Sequence, residues 1–83
     1  MSTTANLILK ETDNQQLKKL LIECDQIGNS HAPANVRKSQ LMNQLFAAEK
    51  SPYLFWVDQY YRVSRAIEME ILHRVMVDTW TQG

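Results

Sequence analysis

Glycine and proline are scarce, with two of each in 83 residues. Such a chain has few places for tight turns, and no stretch of it alternates apolar and polar residues as a half-buried strand would. Two isolated glycines also leave no room for a Gly-rich phosphate loop. Cysteine occurs once, at Cys24, which excludes an intrachain disulfide framework and fits a reducing compartment. Neither sign of charge is in excess, because nine Lys plus Arg face nine Asp plus Glu. That balance argues against a strongly basic module for nucleic acid or membrane surfaces. Basic leader and long apolar run are both lacking, so the expectation is a cytoplasmic chain with no signal peptide and no membrane span.

What is present is an apolar fraction of 45%, enough for a packed core in one domain over residues 1–83. The pattern predicts an all-α small helical bundle. Residues 1–11 read as an extended arm that packs on a neighbour, with Leu7, Ile8 and Leu9 in a row. A first helix is expected over about 12–27. Thr12 followed by Gln15 matches a capping box, and Leu17, Leu20, Leu21, Cys24 and Ile27 form one apolar stripe. Gly28 would end it in the left-handed conformation.

After a polar connector containing Pro33, a second helix is expected over about 35–50, with Leu41, Met42, Leu45, Phe46 and Ala48 as its apolar face. Ser51-Pro52 would then start a long C-terminal helix, about 52–79, with Ser as cap and Pro in the first turn. At this length it would reach about 42 Å, farther than a globule of this size, about 30 Å across. It is apolar along two lines. One is Trp56, Tyr60, Val63, Ile67, Ile71 and Val75. The other is Leu54, Val57, Tyr61, Met69, Leu72, Met76 and Trp80. Asp58–Arg62, Glu70–Arg74 and Arg74–Asp78 are spaced for weak ion pairs on the remaining polar side. A helix apolar on two sides is buried on two sides. The two shorter helices can cover one, so a homodimer or hetero-oligomer is expected to complete the bundle.

Chemistry-bearing patterns are thin. Cys24, His31 and His73 are too few for a four-ligand structural zinc site. Glu70-Ile71-Leu72-His73 has the Glu-x-x-His spacing of carboxylate di-metal bundles. A second copy, with Glu23 or Glu49, would be needed to complete it, and the simpler expectation is Glu70 paired with Arg74. Ser51 and Thr12 read as caps, Ser64 as a small contact residue and Cys24 as packing, so no nucleophile is assigned. Residues 35–50 carry Arg37, Lys38, Asn43 and Gln44, which suit base edges or phosphates in a helix-turn-helix-like regulator. The connector is too long for that motif, and the chain has no net positive charge.

The aromatic group around Tyr53, Trp56 and Tyr60 is spaced for a core or interface rather than a ligand site, with Phe55 expected to be exposed. The reading is therefore a non-catalytic protein-interaction module (an adaptor, small chaperone or inhibitor) with no cofactor. Tyr53, Trp56, Tyr60, Ile67, Ile71 and Trp80 are its candidate partner-binding residues. Nucleic-acid binding through Arg37, Lys38, Asn43 and Gln44 stands as the first alternative. Metal binding through Glu70 and His73 stands as the second.

Overall fold

The structure, a computed structural model, describes residues 3–77 and residue 80. They form four α-helices and no strand: α1 (Thr3–Lys10), α2 (Asn14–Gly28), α3 (Gln40–Ala48) and α4 (Trp56–Met76), with a short 3-10 turn at Pro33–Asn35. All four helices contribute to one core, whose fully enclosed side chains include Leu9, Leu17, Ile27, Met42, Leu45, Val63 and Ile67.

The expected arm is a helix. In α1, Ala5 and Leu9 are buried and Ile8 packs beside them, so one face at three- and four-residue spacing lies on α4 and α3. Residues 1 and 2 of that segment lie outside the described residues. An eight-residue helix is marginal on its own, since nucleation costs more than a few turns return. Docking therefore supplies its stability. Its last carbonyls are met by the Glu11 and Thr12 amides, and by the Thr12 hydroxyl, which donates to Ile8 O at 2.7 Å.

That bond takes Thr12 out of the expected capping box. The N-cap of α2 is Asp13, whose carboxylate accepts from the Gln16 amide at 2.8 Å. The expected stripe faces inward at Leu17, Leu20, Cys24 and Ile27, while Leu21 stays exposed. Gly28 remains helical, and Asn29 closes the helix by donating its amide to Asp25 O.

The second expected helix starts five residues late. The Pro33 turn leads into extended backbone at Val36, and Ser39 caps α3 by accepting from the Met42 amide at 3.2 Å. Glu23 of α2 holds this cap with both carboxylate oxygens, accepting from the Ser39 amide and hydroxyl at 2.7 Å each.

The long helix is shorter than its sequence suggests. Ser51 accepts from the Tyr53 amide and its carbonyl from the Leu54 amide, so it organises a turn rather than a helix start. α4 begins only at Trp56, after Phe55. Its first turn is fixed to α3 by Gln59 Nε2, which donates to Phe46 O. The helix closes at Val77, and the expected continuation through residues 78 and 79 lies outside the described residues. Twenty-one residues span about 31 Å, within the molecule's 35 Å longest dimension. The expectation that this rod outruns the body therefore fails on length, and α1 joins α2 and α3 in packing against it.

Arg74 is a second correction. It lies on the inward side of α4 and is buried. Its guanidinium donates to Glu70 Oε2, Asn14 Oδ1 and Leu9 O, each at 2.8 Å. Asn14 in turn donates to Trp80 O at 3.1 Å. One side chain thereby ties α1, α2 and α4 together. Of the expected intrahelical ion pairs, Glu70–Arg74 is the one formed among the described residues, and Asp78 lies outside them.

Candidate functional site

The two apolar lines read along α4 have different fates. Trp56, Tyr60, Val63, Ile67 and Ile71 point into or pack against the chain's own core. Val75, the last of that line, is exposed. The second line mostly faces outward: Val57, Tyr61, Met69, Leu72 and Met76 are exposed, Tyr61 at 65% and Met76 at 75%. Trp80 of that line instead folds back, half-buried, with Lys18 Nζ 5.0 Å from its ring centre. Among the described residues only one side of α4 finds cover, so the helix has apolar girth to spare although it does not outreach the body.

The outward strip adjoins a cleft between α4 and α2. That cleft, about 460 Å³, is lined by Leu21, Ile22, Cys24, Asp25, Tyr60, Ser64 and Glu68. Leu21 and Ile22 are exposed at its rim. Its floor is inert. Burial, with the nearby Glu23 and Glu68 carboxylates, pushes the Cys24 thiol up to about 12. Such a thiol carries almost no thiolate at neutral pH. Burial also raises Tyr60 above the ordinary phenol value, with Cys24 and Asp25 adding to the effect. The Tyr60 hydroxyl donates to Cys24 O at 2.7 Å.

The six residues assigned from sequence to partner binding divide accordingly. Ile67 is fully enclosed by the chain's own core, so it has no surface left to offer. Trp56 is half-buried, with its ring centre 5.8 Å from Phe46 and 5.5 Å from Tyr60. Tyr60, Ile71 and Trp80 are likewise half-buried against the core. Tyr53 stands out in solvent, as does Phe55 beside it. That set passes over Val57, Tyr61, Leu72 and Met76, which are exposed. The signal for those four is the second line itself, on a face turned away from Val63 and Ile67.

The polar candidates do come together. Arg37, Lys38, Asn43 and Gln44 line one open groove along α3, with Val36, Gln40 and Ala47. Lys38 is turned inward, however: Nζ donates to Val36 O at 3.3 Å and sits 5.1 Å from the Phe46 ring centre and 5.8 Å from that of Trp56. Residues 29–39 separate α2 from α3, far more than the three or four of a helix-turn-helix. Glu70, the proposed metal-binding carboxylate, accepts from Arg74, and His73 is exposed. Among the described residues no three His, Cys, Asp or Glu side chains converge on a point that could hold a metal ion. No helix there is long and apolar enough to cross a membrane. Comparison with family models, curated proteins and solved structures gives no match.

Proposed function

We propose that this chain is a non-catalytic α-helical protein-interaction module, acting as an adaptor, small chaperone or inhibitor in the cytoplasm without a cofactor. The observation that carries the reading is the outward strip of α4. Val57, Tyr61, Leu72 and Met76 remain exposed after the chain has buried its own core. Large apolar and aromatic side chains grouped on one exposed helix face are the usual material of interface anchors. Methionine and tyrosine suit the role, one by adaptable packing and the other by a large contact area with a polar tip. Leu21 and Ile22 extend the surface on α2.

Photo-crosslinking tests the reading. With a benzophenone side chain at position 72, a discrete protein adduct is expected in the producing cell, on a second copy or on one other protein. Tyr61→Glu in the same chain should abolish it. No adduct, or one indifferent to Tyr61→Glu, overturns the reading.

A second reading rests on the shared groove of Arg37, Lys38, Asn43 and Gln44, which presents donors and acceptors on one side of α3. It requires a retarded nucleic-acid band that weakens steeply with salt and with Arg37→Ala. The engagement of Lys38 inside the protein places this reading second.

A further inference from the structure

The outward strip of α4 has a symmetry of its own. Six of its exposed residues, Val57, Tyr61, Arg65, Glu68, Leu72 and Met76, follow one line along the helix, with Met69 to one side of it. Read in either direction along the helix, the spacing is the same: four, four, three, four, four. The character mirrors as well, with two apolar residues at each end and one charged residue on each side of the centre. Those two charges are opposite. Among the described residues neither Arg65 nor Glu68 makes an ion pair.

A two-fold axis makes a surface meet itself, so a surface fit for it must be self-complementary. We propose that two copies of this chain pair through α4 in antiparallel fashion, about an axis between Ala66 and Ile67. The proposal rests on the protein-interaction reading and names its partner as a second copy. In this register Val57 stands opposite the partner copy's Met76, Tyr61 opposite its Leu72, and Arg65 opposite its Glu68. Each contact occurs twice. The strip runs about 28 Å along the helix axis, long enough for a two-helix seam with the shallow crossing angle of antiparallel helix pairs.

The charges fix direction and register. Antiparallel pairing places each Arg65 against a Glu68, whereas parallel, in-register pairing would place Arg65 against Arg65 and Glu68 against Glu68. A one-turn slip in one direction would set Arg65 against Leu72 and Glu68 against its own copy, and in the other Glu68 against Tyr61 and Arg65 against its own copy. Two unpaired charges inside an otherwise apolar strip are a cost for an isolated chain and a specificity device for a pair.

The experiment is sedimentation of the full chain, with circular dichroism to check that each variant stays folded. Both residues are exposed, so substitution at either leaves the core intact. The native chain is expected to dimerise at micromolar concentration. R65E alone places acids opposite acids, and E68R alone places bases opposite bases. Each should weaken dimerisation by about tenfold or more. Mixing the two single variants should restore a dimer of near-native affinity, because each then faces its complement, and R65E/E68R in one chain should do the same.

A monomeric native chain overturns the pairing, as does a native dimer indifferent to both single swaps. Single swaps that weaken the dimer without rescue on mixing overturn it too. The interaction reading fails on a different result, the absence of any adduct from position 72. An adduct on an unrelated protein keeps that reading and overturns self-pairing.

Discussion

The hydroxyl of Tyr60 occupies the space where a side chain at Gly28 would begin. A Cβ added at Gly28 would lie 2.5 Å from that oxygen and 3.3 Å from the ring carbon bearing it. Tyr60 is not free to swing aside, because its hydroxyl bonds Cys24 O and its ring stacks on Trp56. The requirement for glycine at the end of α2 is therefore one of space.

Gly28→Ala is accordingly expected to destabilise, by about 1–3 kcal/mol. Helix propensity alone would give the opposite sign, since alanine is favoured over glycine by about 0.5–1 kcal/mol inside a helix. Tyr60→Phe should cost about 0.5–1.5 kcal/mol through the lost hydrogen bond. The double variant should be more stable than the sum of the two costs implies, because removing the hydroxyl makes room for the methyl. Urea unfolding of the four proteins checks this, and additive costs would contradict it.

Arg74 should be among the most sensitive positions in the chain. Arg74→Ala removes the hydrogen bonds to Glu70, Asn14 and Leu9, and leaves the Glu70 carboxylate short of a partner, while the Leu9 carbonyl keeps the Thr12 amide. A loss of about 3–5 kcal/mol is expected. Arg74→Lys keeps the charge but lacks the planar fork that reaches all three acceptors, so it should recover only part of that. Hydrogen exchange would show the α1 amides losing protection first.

The Cys24 thiol makes stability depend on pH at the alkaline end. Its pKa rises from an ordinary 9.0 to about 12 in the fold. Below pH 9.0 the thiol is protonated in both states and has no effect on the balance. Above it, the unfolded chain loses the proton while the folded chain keeps it, so stability falls as pH climbs towards about 12. Tyr60 acts in the same direction. Cys24→Ala should flatten part of this slope in denaturant titrations. The native thiol should react with a disulfide reagent only as fast as the protein opens.

The inward face of α2 is legible in the sequence because Leu17, Leu20, Cys24 and Ile27 recur at helical spacing with no competing pattern. α1 is not, because eight residues with Leu7, Ile8 and Leu9 in a row show no clear period, and their helix exists by docking on α4. Helix starts differ from expectation where a good capping residue is engaged elsewhere. Thr12 bonds back to Ile8, and Ser51 organises a turn. Ser39 is a valid cap signal that the polar run from Asn35 to Gln40 obscures. The charge of Arg74 suggests an outward position, although seven residues after Ile67 it falls on the same side of the helix. At the candidate site the outward line is visible along α4, but the sequence does not say which of two apolar lines a chain covers for itself. Aromatic content does not decide it, because each line carries two aromatic residues, Trp56 and Tyr60 on one and Tyr61 and Trp80 on the other.

The clasp between Arg74 and Leu9 joins positions 65 apart. A ribosome adding about 5–20 residues per second takes roughly 3–13 s to cover that interval. Over that interval α1 is made while Arg74 and the last turns of α4 that help seat it are not. The first of these four helices to be made is thus among the last to settle.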